Sequence, residues 1–227
     1  MTQVGECLMA ASLPTHLLSM KATTKVGTWN VRTMYETGKA AQVANEMKRY
    51  NIQVLGICEC RWNGSGLTTL ATGEKIVYSG HAEENHDHTE GVAIMMSPAA
   101  ANAPMERQPC YAPTNDADGE TNETFYDALQ TVADELPKRD IKLLSGDMNA
   151  KIGKTNTGKK LIMGTQALGD MNENGELFTD FCAFNNLDIG DTTFQHKDIH
   201  KVTWISPDGK KPDRLHHYLK KVETQPA

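Results

Sequence analysis

No stretch of the chain approaches the roughly 18–20 consecutive apolar residues that a helix needs to cross a bilayer. A helical membrane protein is therefore excluded. Cysteine is sparse: Cys7, Cys58, Cys60, Cys110 and Cys182 are odd in number, scattered, and form no CxxC pair. That pattern excludes a disulfide-stapled secreted scaffold and predicts reduced thiols in an intracellular compartment. Positive charge is scarce as well. Lys and Arg total 23 against 29 Asp and Glu, a net charge of −6, with a pI near 5.7. Counterion release alone is thus excluded as a way of holding nucleic acid, and an acidic chain that works on phosphates needs a metal ion. What remains is the profile of a globular protein: 227 residues, 39% hydrophobic and 23% charged, with a mean hydropathy of −0.50. A chain of this length buries roughly 70% of its unfolded surface.

Residues 1–24 contain Leu8, Met9, Leu13, Leu17 and Leu18, with Glu6 and Lys21 as the charged side chains. A secretory signal would place basic residues first and follow them with a longer apolar stretch. The segment is expected to be a poorly ordered extension, and the protein to be intracellular, the nucleus included, and not secreted.

From Lys25 the pattern sharpens. Val26, Trp29 and Val31 predict a strand, and Ala40, Val43, Ala44, Met47 and Tyr50 follow at the spacing of one buried helical face. Ile52, Val54, Leu55 and Ile57 then form a nearly continuous apolar run, as in a strand buried on both sides. Further strands are predicted at Ile76–Tyr78 and Gly91–Met96. In the second half, Phe125, Leu129, Val132, Ala133 and Leu136 make a helical stripe that stops at Pro137, and Ile141, Leu143 and Leu144 lead into Ser145-Gly146-Asp147-Met148-Asn149. A helix with Leu177, Phe178, Phe181 and Cys182 and short strands near Leu187–Ile189 and Val202–Trp204 complete the series.

Polar residues therefore stand one step beyond apolar strands at Asn30, Glu59, Asp147 and Asn149, where layered α/β proteins carry their chemistry. A hard cation such as Mg²⁺ takes oxygen from one or two carboxylates and keeps waters for a substrate phosphate. Glu59 with an amide oxygen from Asn30 would meet that need. Asp147 would orient or deprotonate an attacking water, and Asn149 would hold the phosphate. Each residue taken singly also fits a bland role: Glu59 as a loop acid, Asn30 and Asn149 in turns, Asp147 as a cap.

Taken in order, Gly27-Thr28-Trp29-Asn30-Val31-Arg32, Leu55-Gly56-Ile57-Cys58-Glu59-Cys60-Arg61-Trp62, Cys110-Tyr111-Ala112-Pro113-Thr114-Asn115 and Gly146-Asp147-Met148-Asn149-Ala150 resemble the motifs of the endonuclease/exonuclease/phosphatase superfamily. More narrowly they resemble the apurinic-like endonuclease domain of non-LTR (LINE-type) retrotransposons and the related craniofacial development protein 2-like proteins. Asn172-Glu173-Asn174-Gly175-Glu176-Leu177 and Thr203-Trp204-Ile205-Ser206-Pro207-Asp208-Gly209 fit the same subfamily. The resemblance implies an α/β fold, a four-layer α/β sandwich of two face-to-face β-sheets flanked by helices, over residues 25–210. It also implies a Mg²⁺-dependent hydrolase, with Mn²⁺ as a substitute, that cuts phosphodiester bonds in DNA. Glu59 becomes the main metal ligand with Asn30 beside it, Tyr111 a phosphate contact, and Asp147 with Asn149 the pair that positions the water and the transition state. A superfamily phosphatase acting on lipid or inositol phosphate, and a non-catalytic remnant that binds DNA or a partner, are the alternatives.

Other groups have competing readings. His81, His86 and His88 alternate with acids but match no standard zinc spacing, so a solvated loop is expected. Trp62 and Trp204 could stack on an unpaired base or pack in the rim. Lys151, Lys154, Lys159 and Lys160 could steer DNA phosphate or simply face water.

Two departures from the family stand out. Only 13 residues, with Pro98, Pro104 and Pro109 among them, separate Met96 from Cys110, where the family carries at least one further core strand. A run this rich in Pro cannot replace a central strand, so the fold is expected to lack at least one core strand near residues 97–109 and Tyr111 to be displaced. At the end, the family closes on Asn-Gln-Ile-Asp-His/Tyr-Ile, whose acid joins the catalytic constellation, whereas this chain reads Pro212-Asp213-Arg214-Leu215-His216-His217-Tyr218. Codons can be chosen for that segment that, regrouped one frame over, spell Asn-Gln-Ile-Asp-Tyr-Ile-Thr. Residues 211–227 are thus expected to be a divergent, frameshifted tail and the chain an impaired copy, with His216 and His217 accidents of the shift.

Overall fold

The computed structural model of the chain describes residues 6–13, 24–80, 91–102, 107–112, 119–136, 141–195, 197, 204–205, 212–213 and 216–220. In chain order the first elements are β1 (Glu6–Leu13), β2 (Val26–Asn30), α1 (Lys39–Arg49), β3 (Val54–Cys58), β4 (Ser65–Thr69), β5 (Lys75–Ser79), β6 (Val92–Met96) and the short α2 (Pro98–Ala101). There follow β7 (Arg107–Ala112), α3 (Gly119–Glu135), β8 (Ile141–Asp147), α4 (Glu173–Phe184), β9 (Asp188–Ile189), β10 (Trp204–Ile205), β11 (Pro212–Asp213) and β12 (His216–Lys220).

The first sheet has the order β2-β3-β6-β5-β4, with β2 parallel to β3 across α1 and the other pairs antiparallel. Its two apolar strands, β3 and β6, are buried at every residue, as a strand covered on both faces must be. Leu55, Ile57, Ala93 and Met95 pack with Val43, Ala44 and Met47 of α1. The alternate residues, Val54, Cys58, Val92, Ile94 and Met96, are buried on the opposite face of the same strands. There β3 lies on β8, β6 on β1 and β2 on β12, which makes the structure two sheets face to face. The outer layer on the far side is α3 and α4, whose Phe125, Leu129, Val132, Phe178 and Phe181 cluster with Leu144 and Met148. The four-layer α/β sandwich is therefore the fold. Among the described residues no helix is long and apolar enough to cross a membrane.

The second sheet has the order β7-β1-β8-β12-β9. Residues 6–13, expected to lie in a poorly ordered extension, form a strand antiparallel both to β7, from Glu6↔Ala112 to Ala11↔Arg107, and to β8, from Met9↔Ser145 to Leu13↔Ile141. Short apolar stretches without local partners look alike whether they are ordered or not, and the partners of this one lie about a hundred residues along the chain. The shortened segment after β6 contributes only α2 among the described residues, so no strand between β6 and β7 is seen there. Pro109 does not prevent β7 from forming. It sits on an edge strand that pairs with β1 alone among the described residues, which is where a missing N–H is tolerated. The divergent tail, too, is woven in: β12 pairs with β8 from His216↔Asp147 to Lys220↔Leu143 and with β9 on its other side.

An ion pair between a buried carboxylate and a half-exposed lysine ties the β4–β5 turn to α1. The Glu74 carboxylate is buried, lies 2.9 Å from Lys48 Nζ and accepts the Thr72 hydroxyl. Burial pushes its pKa up, but the Thr72 hydroxyl, the Lys48 ammonium and its own backbone N–H together hold it below the ordinary value. A lowered folded-state pKa contributes stability above the unfolded-state pKa that is lost as pH falls through the folded one. Glu74→Gln should therefore cost about 2 kcal/mol at neutral pH, with the difference from wild type shrinking as the pH drops below the ordinary glutamate range. Urea unfolding of both proteins across pH measures this, and a difference that stays flat with pH would count against it.

Candidate active site

The parallel pairing of β2 and β3 sets Asn30 opposite Cys58, so Glu59 begins where both strands end. Asn30 Nδ2 donates to Glu59 Oε1 at 2.6 Å, and Asn30 Oδ1 accepts the Arg32 N–H at 2.9 Å. Arg61 Nη2 lies 3.8 Å from Glu59 Oε2. The amide of Asn30 thus fixes the carboxylate, which stays 33% exposed. Loops after the strands are held by Val31 N–H to Cys58 O, Met34 N–H to Cys60 O and Cys60 N–H to Gly91 O.

Among the described residues six non-glycine residues have positive φ, and four of them are here: Arg32 at 61°, Glu59 at 54°, Arg61 at 58° and Asn149 at 48°. Each such conformation costs about 1–2 kcal/mol for an L-residue. Its concentration at these strand ends marks a place where side-chain position outweighs local comfort. Beside Asn30 opens a cleft of about 490 Å³ lined by Trp29, Arg32, Lys39, Gln42 and Glu46 among others, with Trp29 43% exposed on its wall.

Across the sandwich, Asp147 closes β8, the strand on which β3 packs, and stands opposite His216 in the register with β12. Met148, Asn149 and Ala150 follow as a buried turn. Tyr111 lies on β7 opposite Cys7, with β1 interposed between its strand and β8. The structure thus joins Asn30 to Glu59 by a direct bond, puts Asp147 and Asn149 at the end of the strand beneath, and holds Tyr111 two strands away.

Several alternatives resolve. Trp62 donates its indole N–H to Met34 O at 3.0 Å and meets the Tyr78 ring edge-on at 5.0 Å, so it braces the loop instead of offering a free face. Lys159 is turned inward, bonded to Asp180 at 2.9 Å and to the Thr179 hydroxyl, while Lys154 and Lys160 are exposed. Burial pushes the Cys60 thiol up to about 11, against the pull of backbone hydrogen bonds, so the neighbour of Glu59 stays neutral. His81, His86, His88 and the Trp204 side chain lie outside the described residues.

Among the described residues no cluster of three His, Cys, Asp or Glu side chains forms a complete metal cage. The donor chemistry suits a hard cation nonetheless: a half-exposed carboxylate oriented by an amide, with room for water and substrate oxygen, is the partial set that Mg²⁺ accepts. In the sequence Arg32 and Arg61 stand within motifs without a role of their own, although both touch this pair; Tyr126 is passed over, its place one step from the Phe125 stripe being the available signal. Asn174 stands within a motif of the sequence but has no role assigned to it there.

No protein-family model matches the chain. It is 33% identical, over an alignment 215 positions long that covers 86% of the chain, to craniofacial development protein 2 from Bos taurus and equally to that from Tragulus javanicus. It spans 35% and 36% of those curated relatives, about a third of each. Among solved structures, a variant of the 3′ phosphatase NExo from Neisseria, bound to a product DNA hairpin, superimposes with a TM-score of 0.52 at 16% identity, covering 87% of this chain and 86% of that one. Over most of its own length the chain is thus a relative of the craniofacial development protein 2 proteins, and it shares the fold of that phosphatase.

Proposed function

We propose that the chain is a Mg²⁺-dependent DNA endonuclease of the retrotransposon type, able to use Mn²⁺, in a shortened and impaired copy. The observation that carries this reading is the 2.6 Å bond between Asn30 and Glu59 at the ends of two adjacent parallel strands. Glu59 would hold the metal with Asn30 beside it, and Arg61, 3.8 Å from Glu59 Oε2, offsets part of the carboxylate charge. The ion, when bound, neutralises charge that develops on the phosphate. Asp147 accepts the proton of the attacking water, and Asn149 donates its amide to a phosphate oxygen, so that the donors stand in place before charge builds up. Tyr111 is a phosphate contact in the family, and the β1 strand between β7 and β8 argues that it contributes less here. DNA as substrate is supported by the same site and by the DNA product held by the fold neighbour.

Impairment follows from the tail. The strand paired with Asp147 brings His216 and His217 in place of the family's acid, and a protonated imidazole repels a divalent cation. A remnant that binds DNA without cutting it is the second reading favoured by this feature. Incubation of supercoiled plasmid with the chain should give slow nicking in Mg²⁺ that EDTA abolishes, with no phosphate released from inositol phosphates. Retained DNA binding without nicking would favour the remnant, and nicking unaffected by EDTA would overturn the metal-dependent reading.

A further inference from the structure

The turn that follows Asp147 needs a holder, because Asn149 is in the left-handed region and both it and Met148 are buried beyond the last residue of β8, where backbone carbonyls need donors other than water. Asn174, on the first turn of α4 and only 6% exposed, supplies it: its single Nδ2 donates to Met148 O at 2.8 Å and to Asn149 O at 3.1 Å. The acceptor half of the same amide is fixed by the Tyr126 hydroxyl of α3, which donates to Asn174 Oδ1 at 2.9 Å. Burial keeps the Tyr126 phenol well above its usual pKa, so it is a donor at any working pH. Asn172 holds the end of the turn, its Oδ1 accepting the Lys151 N–H at 2.9 Å and its own N–H donating to Lys151 O at 2.9 Å. The approach is so close that a Cβ at Gly175 would lie 1.9 Å from Lys151 O.

We infer that Asn174 and Tyr126 are positioning residues of the hydrolytic site, holding the 148–151 turn and through it Asp147 and Asn149. This rests on the endonuclease reading, since without a reaction at that strand end there is nothing to position. A buried amide with both donors and its acceptor satisfied is a rigid device, and both of its donors are spent on the two carbonyls beside the proposed water-activating acid. Pure packing between α3 and α4 would not need it. The same helices are already joined by a second amide pair, Gln130 with Asn185, at 2.7 Å and 3.3 Å, away from the turn.

Asn174→Ala, Tyr126→Phe and, as the control for helix packing, Gln130→Ala test the inference in the full chain. Hydrogen exchange followed by mass spectrometry should show faster exchange over residues 148–151 in Asn174→Ala than in Gln130→Ala, with β2, β3 and β6 unchanged in both. Nicking turnover should fall about 10–100-fold in Asn174→Ala and less in Tyr126→Phe, as for other residues that orient a reacting group, while the DNA concentration for half-saturation stays unchanged. Exchange over the turn no faster than in Gln130→Ala, or loosened exchange with full turnover, would overturn the inference. Absence of nicking by the unaltered chain would instead overturn the endonuclease reading, and the exchange measurement would still decide whether Asn174 holds the turn.

Discussion

Removal of residues 1–24 should abolish cooperative folding of the chain, although composition alone marks that segment as dispensable. β1 supplies six paired positions to β7 and five to β8. Without it β7 loses the one strand partner it has among the described residues, β8 acquires a raw edge beside Asp147, and the inner face of β6 loses its cover. At a net ~1 kcal/mol for each backbone hydrogen bond, loss of even five offsets ~5 kcal/mol, which matches the lower end of the whole stability of a domain. The truncated chain is therefore expected to keep far-ultraviolet helix signal, lose its near-ultraviolet spectrum and bind ANS. A synthetic peptide of residues 6–13 added back should reduce the dye signal, since main-chain pairing is what the gap offers. A truncated chain that melts as sharply as the intact one would show that β7 and β8 hold together by other means.

Glu59→Gln should leave the fold intact and remove Mg²⁺-dependent nicking. Glutamine keeps the size of the side chain and can still present an oxygen to Asn30 Nδ2, so the 2.6 Å bond has a replacement and the melting temperature should barely move. What disappears is the charge, and with it both the attraction for a divalent cation and the partner of Arg61 at 3.8 Å. A loss of at least ~10²–10³-fold is expected, the scale seen when one preorganised electrostatic group is deleted. Asp147→Asn should give a comparable loss by a different route, because an amide cannot take a proton from water. Titration with Mn²⁺ separates the two, since Glu59→Gln should weaken metal binding more than Asp147→Asn does. Undiminished nicking by either variant would remove that residue from the site.

Much of the candidate site is open to reading because its parts are local. Asn30 and Asp147 end β2 and β8 and Glu59 follows β3 directly, and a strand buried on both faces announces itself as Val54-Leu55-Gly56-Ile57-Cys58 does, with no polar interruption. The helical stripes of α1 and α3 are likewise set by neighbours three and four residues apart. Asn174 and Tyr126 are hidden for the opposite reason. Their partners, Met148, Asn149 and each other, are 25 to 48 residues distant, and an asparagine near a helix start reads as a cap whatever else it holds.

Local patterning thus determined the α/β class, the succession of most strands and helices and the polar residues at the strand ends, because these depend on periodicity and on turns that a short window contains. Tertiary structure decided which strands became neighbours. Residues 6–13 entered the sheet between β7 and β8, Pro109 came to lie on an edge strand, and the tail closed against Asp147 through β12. Strand pairing is settled by backbone hydrogen bonds and buried faces between segments distant in the chain, and any short apolar stretch satisfies its local terms equally well.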